Sequence, residues 1–379
     1  MKHALASVLL LSLFTACEDN ESENKPNKPD PLVPVAVDYA LAEGQIAEDK
    51  GSFPITINLS AAAEASGVIE VTISGDAVYG THFTSTPAAV NGKITLPVEE
   101  GDTEAQLSVV IINNAKMNGH KAATFSITDA TGSVVKGESL AFTLRVKDDE
   151  LMQKPQGMVK VGSFASQVKN TYEYNEDGQI TKIHWESKNP FGTTTGTDEY
   201  FYDGNGKITK TIRLGTTQET NYIWENGLLA RQERLQNGVV LTYHQYEYDA
   251  NGHVKKTANF VGDGLGDFNV SSYTEYAYHD DGNVHVLTLY SYDPVDEEFV
   301  VSTVTTYDNY IEGKNPTPLE LFPGHSIQHK LPTNYSRTSA SGTQAYEVAY
   351  EFLEDGNLGR KTVTGAAADS GVTTYTYFD

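Results

Sequence analysis

Between Val35 and Glu150 short apolar segments recur at 53–59, 68–73, 93–96, 105–112, 123–127 and 139–146, with apolar residues two apart in most of them and Gly, Asn or Asp in between. A period of two turns one face of each strand into a core and the other into water. Roughly seven such strands in roughly 110 residues predict an antiparallel β-sandwich, and no helix is needed to complete it.

From 151 to 379 the pattern changes to a repeat. The copies read Tyr172-Glu-Tyr-Asn-Glu-Asp-Gly178-Gln-Ile, Tyr200-Phe-Tyr-Asp-Gly-Asn-Gly206-Lys-Ile, Tyr222-Ile-Trp-Glu-Asn-Gly227-Leu-Leu, Tyr246-Glu-Tyr-Asp-Ala-Asn-Gly252-His-Val, Tyr276-Ala-Tyr-His-Asp-Asp-Gly282-Asn-Val and Tyr350-Glu-Phe-Leu-Glu-Asp-Gly356-Asn-Leu. Their unequal spacing predicts an array of β-hairpins with variable far-end loops and an insertion at about 287–345. Five copies carry a loop ending in Gly that suits a type I turn followed by a left-handed residue, and Asn226-Gly227 suits a type I′ turn. These turns set Tyr174 opposite Ile180, Tyr202 opposite Ile208, Trp224 opposite Leu229, Tyr248 opposite Val254, Tyr278 opposite Val284 and Phe352 opposite Leu358, an aromatic-aliphatic core face. The array closes partly into a barrel or stays an open twisted sheet; an open one needs its edges covered.

Opposite the uniform turns lie loops that differ from copy to copy, and variable loops on a repeated scaffold are where binding specificity is usually placed. Phe191, Asp263, Asp267, Asp293 and Asp296 fall in them, and His325 falls in the insertion. These are the candidate ligand-binding residues.

Composition narrows the partners. Lys+Arg 27 against Asp+Glu 51 gives a formal charge of −24, which argues against nucleic acid and anionic membranes because both demand cations. A single Cys removes disulfide frameworks and Cys-type zinc sites, and 22 Tyr with 32 Gly suit aromatic strands and tight turns.

That Cys ends a recognisable start: Met1-Lys-His, the apolar run Ala4 to Phe14, then Thr15-Ala16-Cys17. The segment resembles a bacterial lipoprotein signal peptide, which implies removal of 1–16 and lipidation of Cys17. Residues 17–34 are acidic and then proline-rich, reading as a tether. The acidic cluster is similar to the surface-export signal of lipoproteins from gut-dwelling Gram-negative bacteria, implying an outer membrane, cell-surface location.

Within 35–150, Gly75-Asp-Ala-Val-Tyr-Gly80-Thr-His-Phe83, Gly92-Lys-Ile-Thr-Leu96, Gly101-Asp-Thr, Leu107 to Ile112 and Val146-Lys-Asp-Asp-Glu150 resemble a Calx-beta domain. The resemblance implies an immunoglobulin-like sandwich with a calcium end, and it places Asp76, Asp148 and Asp149 at acidic positions of that family. His82 stands where the family commonly has Asp, and the loop 113–120 lacks the usual acidic pair. Residues 170–379 are similar to YD/RHS-repeat proteins, with Tyr248-Asp249, Gly252 and Lys255 the best fit.

The expected fold is therefore all-β: an Ig-like sandwich at 35–150 followed by an antiparallel hairpin array at 151–379. Gly324-His-Ser-Ile-Gln328 lacks the second Gly of a nucleophile elbow, and His325 and His329 align as metal ligands only on a helix. The expected function is a non-enzymatic outer-surface lipoprotein that binds or adheres to glycans or other extracellular polymers, without a cofactor unless calcium is retained. The alternatives are a structural, partner-docking envelope protein and, behind it, a glycoside-active enzyme using the rim carboxylates.

Overall fold

The computed structural model describes residues 33–164, 166–313, 328–366 and 370–378, so Cys17, His325, the signal segment and nearly all of the tether lie outside the described residues. The fold is all-β. Two five-stranded sheets face each other in the first half: Phe83–Thr86, Glu104–Ile111, Ser52–Leu59, Val35–Tyr39 and Val134–Lys136 in one, and Glu43–Ala47, Ala141–Lys147, Lys121–Gly132, Gly67–Gly75 and Lys93–Val98 in the other. Val37, Ile57, Ile69, Val71, Phe83, Phe125 and Leu144 are fully buried between them, as the period of two requires. Short strands without strong alternation escape the sequence pattern. Among them, Val35–Tyr39 and Glu43–Ala47 split the first strand between the sheets, each through a parallel pairing.

The second half closes. Sixteen strands form one barrel in which Pro155–Gly162 pairs with both Gln167–Tyr174 and Gly371–Tyr377. The open-sheet alternative is thereby excluded, and no repeat edge is left to cover. The stretch 287–345, expected as an insertion, is mostly barrel wall: Val284–Asp293 and Glu298–Tyr307 form one hairpin, and Asn334–Ser339 pairs with Gly342–Phe352. Between Tyr307 and Asn334 the described residues leave the wall, and there Tyr310–Ile311 pairs with Leu331–Pro332. Its return is fixed by Asn283, whose Oδ1 accepts from the backbone N–H of His329 and Lys330 at 2.7 and 2.9 Å.

The register is the one the turn lengths predict, with all six aromatic-aliphatic pairs in place. Gly178, Gly206, Gly252, Gly282 and Gly356 take φ between 72° and 84°, and Asn226-Gly227 is left-handed at both positions. The Asp of the second and fourth copies holds its turn: Asp203 Oδ1 accepts the backbone N–H of Asn205 and Lys207, and Asp249 does the same for Asn251 and His253.

Each repeat aromatic also reaches backward. Donors on Tyr174, Tyr202, Trp224, Tyr248, Tyr278, Tyr310, Tyr350 and Tyr377 bond the backbone carbonyls of Pro155, Ile180, Ile208, Leu229, Val254, Val284, Pro332 and Leu358, at 2.7–3.0 Å apart from a shorter Tyr310 bond. The bond falls just past the last ladder pair: Lys182 opposite Glu199 ends one strand pairing, and Tyr202 then bonds Ile180. A closed belt results, one stitch per hairpin around the barrel. Tyr310 and Tyr377 are the two stitches that no repeat signature announces.

Because the aromatic repeat face points inward, the alternate residues point out, and they mix charged pairs with aromatic ones: Tyr243 stacks on Phe260 and Tyr273 on Tyr290 there. Lys169 stands opposite Glu186, Lys182 opposite Glu173 and Glu199, Lys256 opposite Glu247 and Glu275, and Glu351 opposite Arg360. A Lys or Arg facing lipid at the bilayer centre costs about 2–4 kcal/mol, so these pairs favour water on their part of the wall.

The sandwich sits on the repeat-turn end. The Met117 N–H donates to Glu176 O at 2.8 Å, Lys116 pairs with Asp177, and Asn357 Nδ2 donates to Met152 O at 3.1 Å. Strand Lys121–Gly132 runs away from that end, and beyond it Val134 pairs with Val35. The described chain thus begins at one pole and the variable loops form the other. Tyr248→Phe removes one stitch and leaves Leu229 O without its donor; urea unfolding should show a loss of about 1 kcal/mol with the slope unchanged.

Candidate functional site

Two places bring chemistry together. At the sandwich end facing the barrel, one carboxylate oxygen each from Glu48, Asp149 and Glu150 lies within 4.8 Å of the others. Glu48 is only 1% exposed, and its Oε2 accepts from Asn114 Nδ2 at 3.1 Å. Its Oε1, Asp149 Oδ1, Glu150 Oε2 and Asn118 Oδ1 are buried without any hydrogen-bond partner. Burial, followed by the neighbouring charges of Asp148, Glu150 and Asp149, pushes the Glu48 carboxyl up to about 7. Asp149 and Glu150 are raised as well, burial first.

Carboxylates gathered this way need protons or a cation. Hard oxygen donors without competing hydrogen bonds suit calcium, so the residues fit the ion that the Calx-beta resemblance implies. The membership differs from the sequence expectation. Asp148, wholly buried, accepts the N–H groups of Asn118, Gly119 and Leu151, each at 2.8 Å, and so holds the loop and the one-turn helix Asp149–Met152 that present the trio. Asp76 bonds the Ala122 N–H at 2.6 Å and stands outside the trio. Glu48 was missed because it comes from a turn distant in sequence, at Glu48–Lys50.

The second place is the inner wall near the variable rim. A cavity of about 380 Å³ is lined by Asp198, Tyr200, Arg213, Gln218, Tyr222, Arg234 and Gln236 among others. Pairing puts Asp198 opposite Arg213, Tyr200 opposite Thr211, Tyr222 opposite Gln232 and Thr220 opposite Arg234, all with the parity of the buried tyrosines. Arg213 grips Asp198 with two bonds of 2.8 and 3.1 Å and lies over the Trp185 ring at 4.9 Å. Trp185 Nε1 is buried and has no partner. Burial raises the hydroxyls of Tyr200 and Tyr222, keeping them neutral donors. Aromatic rings beside amide and charged side chains can stack on, and hydrogen-bond to, a polar ring.

The rim residues singled out from sequence are turn residues. Phe191 is 98% exposed at a hairpin tip. Asp263 Oδ1 accepts the N–H of Leu265 and Asp267, and Asp293 Oδ1 that of Val295, so both carboxylates cap their own turns. Asp296 is exposed in the same turn as Asp293. The inward polar residues were legible in principle: extending the parity of each Tyr along its strand reaches Asp198 and, through the pairing, Arg213.

No family model matches this chain, and no curated protein matches it. Among solved structures it is similar to the apo form of the Calx CBD1 domain, at 15% identity and TM-score 0.27, over 30% of this chain and 97% of that one. It is also similar to a porin-like protein from Bacteroides uniformis, at 13% identity and TM-score 0.41, over 59% of this chain and 96% of that one. A porin-like protein from Bacteroides vulgatus matches at 12% identity and TM-score 0.41, over 60% of this chain and 99% of that one.

Glu48 is raised in the folded state, so its contribution to stability is full below its ordinary value near 4.5 and disappears as pH rises through about 7. In chelator the protein should therefore melt at a lower temperature at pH 8 than at pH 5. Calcium should raise the melting temperature more at pH 8, and its apparent affinity should fall by about tenfold per pH unit below 7 as one proton competes. Scanning calorimetry at both pH values, with calcium and with chelator, checks this.

Proposed function

We propose that the chain is a non-enzymatic outer-surface module, lipid-anchored through Cys17, that binds a glycan or related extracellular polymer at the barrel mouth. The observation that carries this reading is the mouth cavity, where Tyr200 and Tyr222 supply rings and Asp198, Arg213, Gln218, Arg234 and Gln236 supply planar polar groups. Such a mixture suits a sugar, which offers one apolar ring face and a rim of hydroxyls. The site sits at the pole opposite Val35, the side on which a module anchored through Cys17 would face material outside the cell. A calcium ion on Glu48, Asp149 and Glu150 would stiffen the join between sandwich and barrel, since Asp149 and Glu150 belong to the connector before Pro155.

The test is a calorimetric binding screen of neutral and acidic oligosaccharides. Gln218 and Arg234 are exposed at the mouth, so Gln218→Ala/Arg234→Ala should leave the fold intact and weaken a bound glycan by about tenfold, or about 1.4 kcal/mol. Absence of saturable binding by every sugar, or binding untouched by the double variant, would overturn the reading.

A further inference from the structure

The rim carries a feature that the mouth cavity does not use. Phe164, Phe191, Leu214, Val239, Leu265 and Val295 are exposed apolar residues, and each stands at or beside the tip of a different hairpin. The hairpins are the first six of the barrel in chain order, and all these tips lie at the variable end. Phe191 at 98%, Leu265 at 92% and Val295 at 86% project almost wholly into solvent. A single exposed apolar residue is ordinary, but one on each of six consecutive tips at one pole is a surface with an orientation.

We propose that this crown docks on the surface of a bilayer of zwitterionic phospholipid, with the tips entering the headgroup zone while the charged pairs of the barrel wall stay in water. Three observations select this occupant. The tips stand on separate loops, with polar turn residues between them, so a rigid protein partner would need a matching pocket for each, whereas a fluid interface moulds around every tip. On the outer wall Tyr243, Phe260, Tyr273, Tyr290 and Phe299 pack below the rim, and Lys182, Lys256 and the Glu residues opposite them oppose insertion beyond that level. Asp263, Asp267, Asp293, Asp296, Glu297 and Glu298 flank Leu265 and Val295 and repel an anionic surface, which leaves neutral headgroups. The docking pole is opposite the one where Val35 begins the sandwich.

Single tryptophans placed in the full chain read the contact directly. Phe191→Trp and Leu265→Trp are mixed with phosphatidylcholine vesicles carrying brominated acyl chains, with Asn205→Trp at the repeat-turn end as reference and the signal of the parent protein subtracted. Quenching of about twofold is expected at both tips, with none at position 205 and less at the tips when phosphatidylserine replaces half the lipid. Because the N-terminal segment can adsorb to vesicles by itself, equal quenching at all three positions would overturn the proposal, as would no quenching at the tips. A blue shift at the tips that grows with protein concentration and needs no vesicles would overturn it in favour of a rim-to-rim dimer. The surface variant Phe191→Ser/Leu265→Ser/Val295→Ser should lose the tip-dependent share of vesicle flotation by about tenfold while unfolding like the parent; unchanged flotation would sink the proposal.

Discussion

The barrel depends on one repeated bond, from an aromatic donor to the first aliphatic carbonyl of the preceding hairpin. A hairpin alone is marginal in water, and ladder hydrogen bonds end where each strand frays into its turn. The belt continues the pairing beyond that point. Tyr202 packs against Ile208 of its own hairpin while its hydroxyl holds Ile180 of the one before, so one side chain serves both the core and the seam. Trp224 does this through Nε1 across a turn of different length, which shows that the donor's position matters more than its identity. Where the sixth copy has Phe352 in place of Tyr, Tyr350 two residues earlier makes the bond.

Belt and wall are consequences of one parity. Once the aromatic of each hairpin faces inward, every second residue along the strand follows it. The inward set supplies the buried tyrosines at one end and Asp198, Arg213 and Tyr222 at the other, and the outward set supplies the Lys and Glu pairs. At the repeat-turn end the barrel buries tyrosines within and carries Lys and Glu pairs outside.

Much of this was legible in the sequence, because a period of two and a fixed turn leave few registers. The six aromatic-aliphatic pairs followed from counting loop residues around Gly178 and its equivalents. Closure was hidden, since the sixth stitch uses Tyr310 and Val284 in place of a complete copy, and the last joins Tyr377 to Leu358 without a turn of its own. The cation trio was half visible: the acidic stretch at 148–150 stands out, but Glu48 is brought there only by folding. Asp148, the residue most like a ligand on paper, spends its oxygens on three backbone N–H groups. A linear pattern identifies carboxylates, and only the fold tells which have lone pairs to spare.

The pairing of Pro155–Gly162 with Gly371–Tyr377 joins the first wall strand to the last. The ring cannot be sealed until Gly371–Tyr377 has been made and delivered. A chain cut short anywhere in the array keeps two raw strand edges, and its outward charges offer no lipid in which to hide them. Synthesis through the last wall strand is thus built into the fold as a checkpoint: a fragment that stops short of Tyr377 presents an unpaired barrel edge for aggregation or proteolysis.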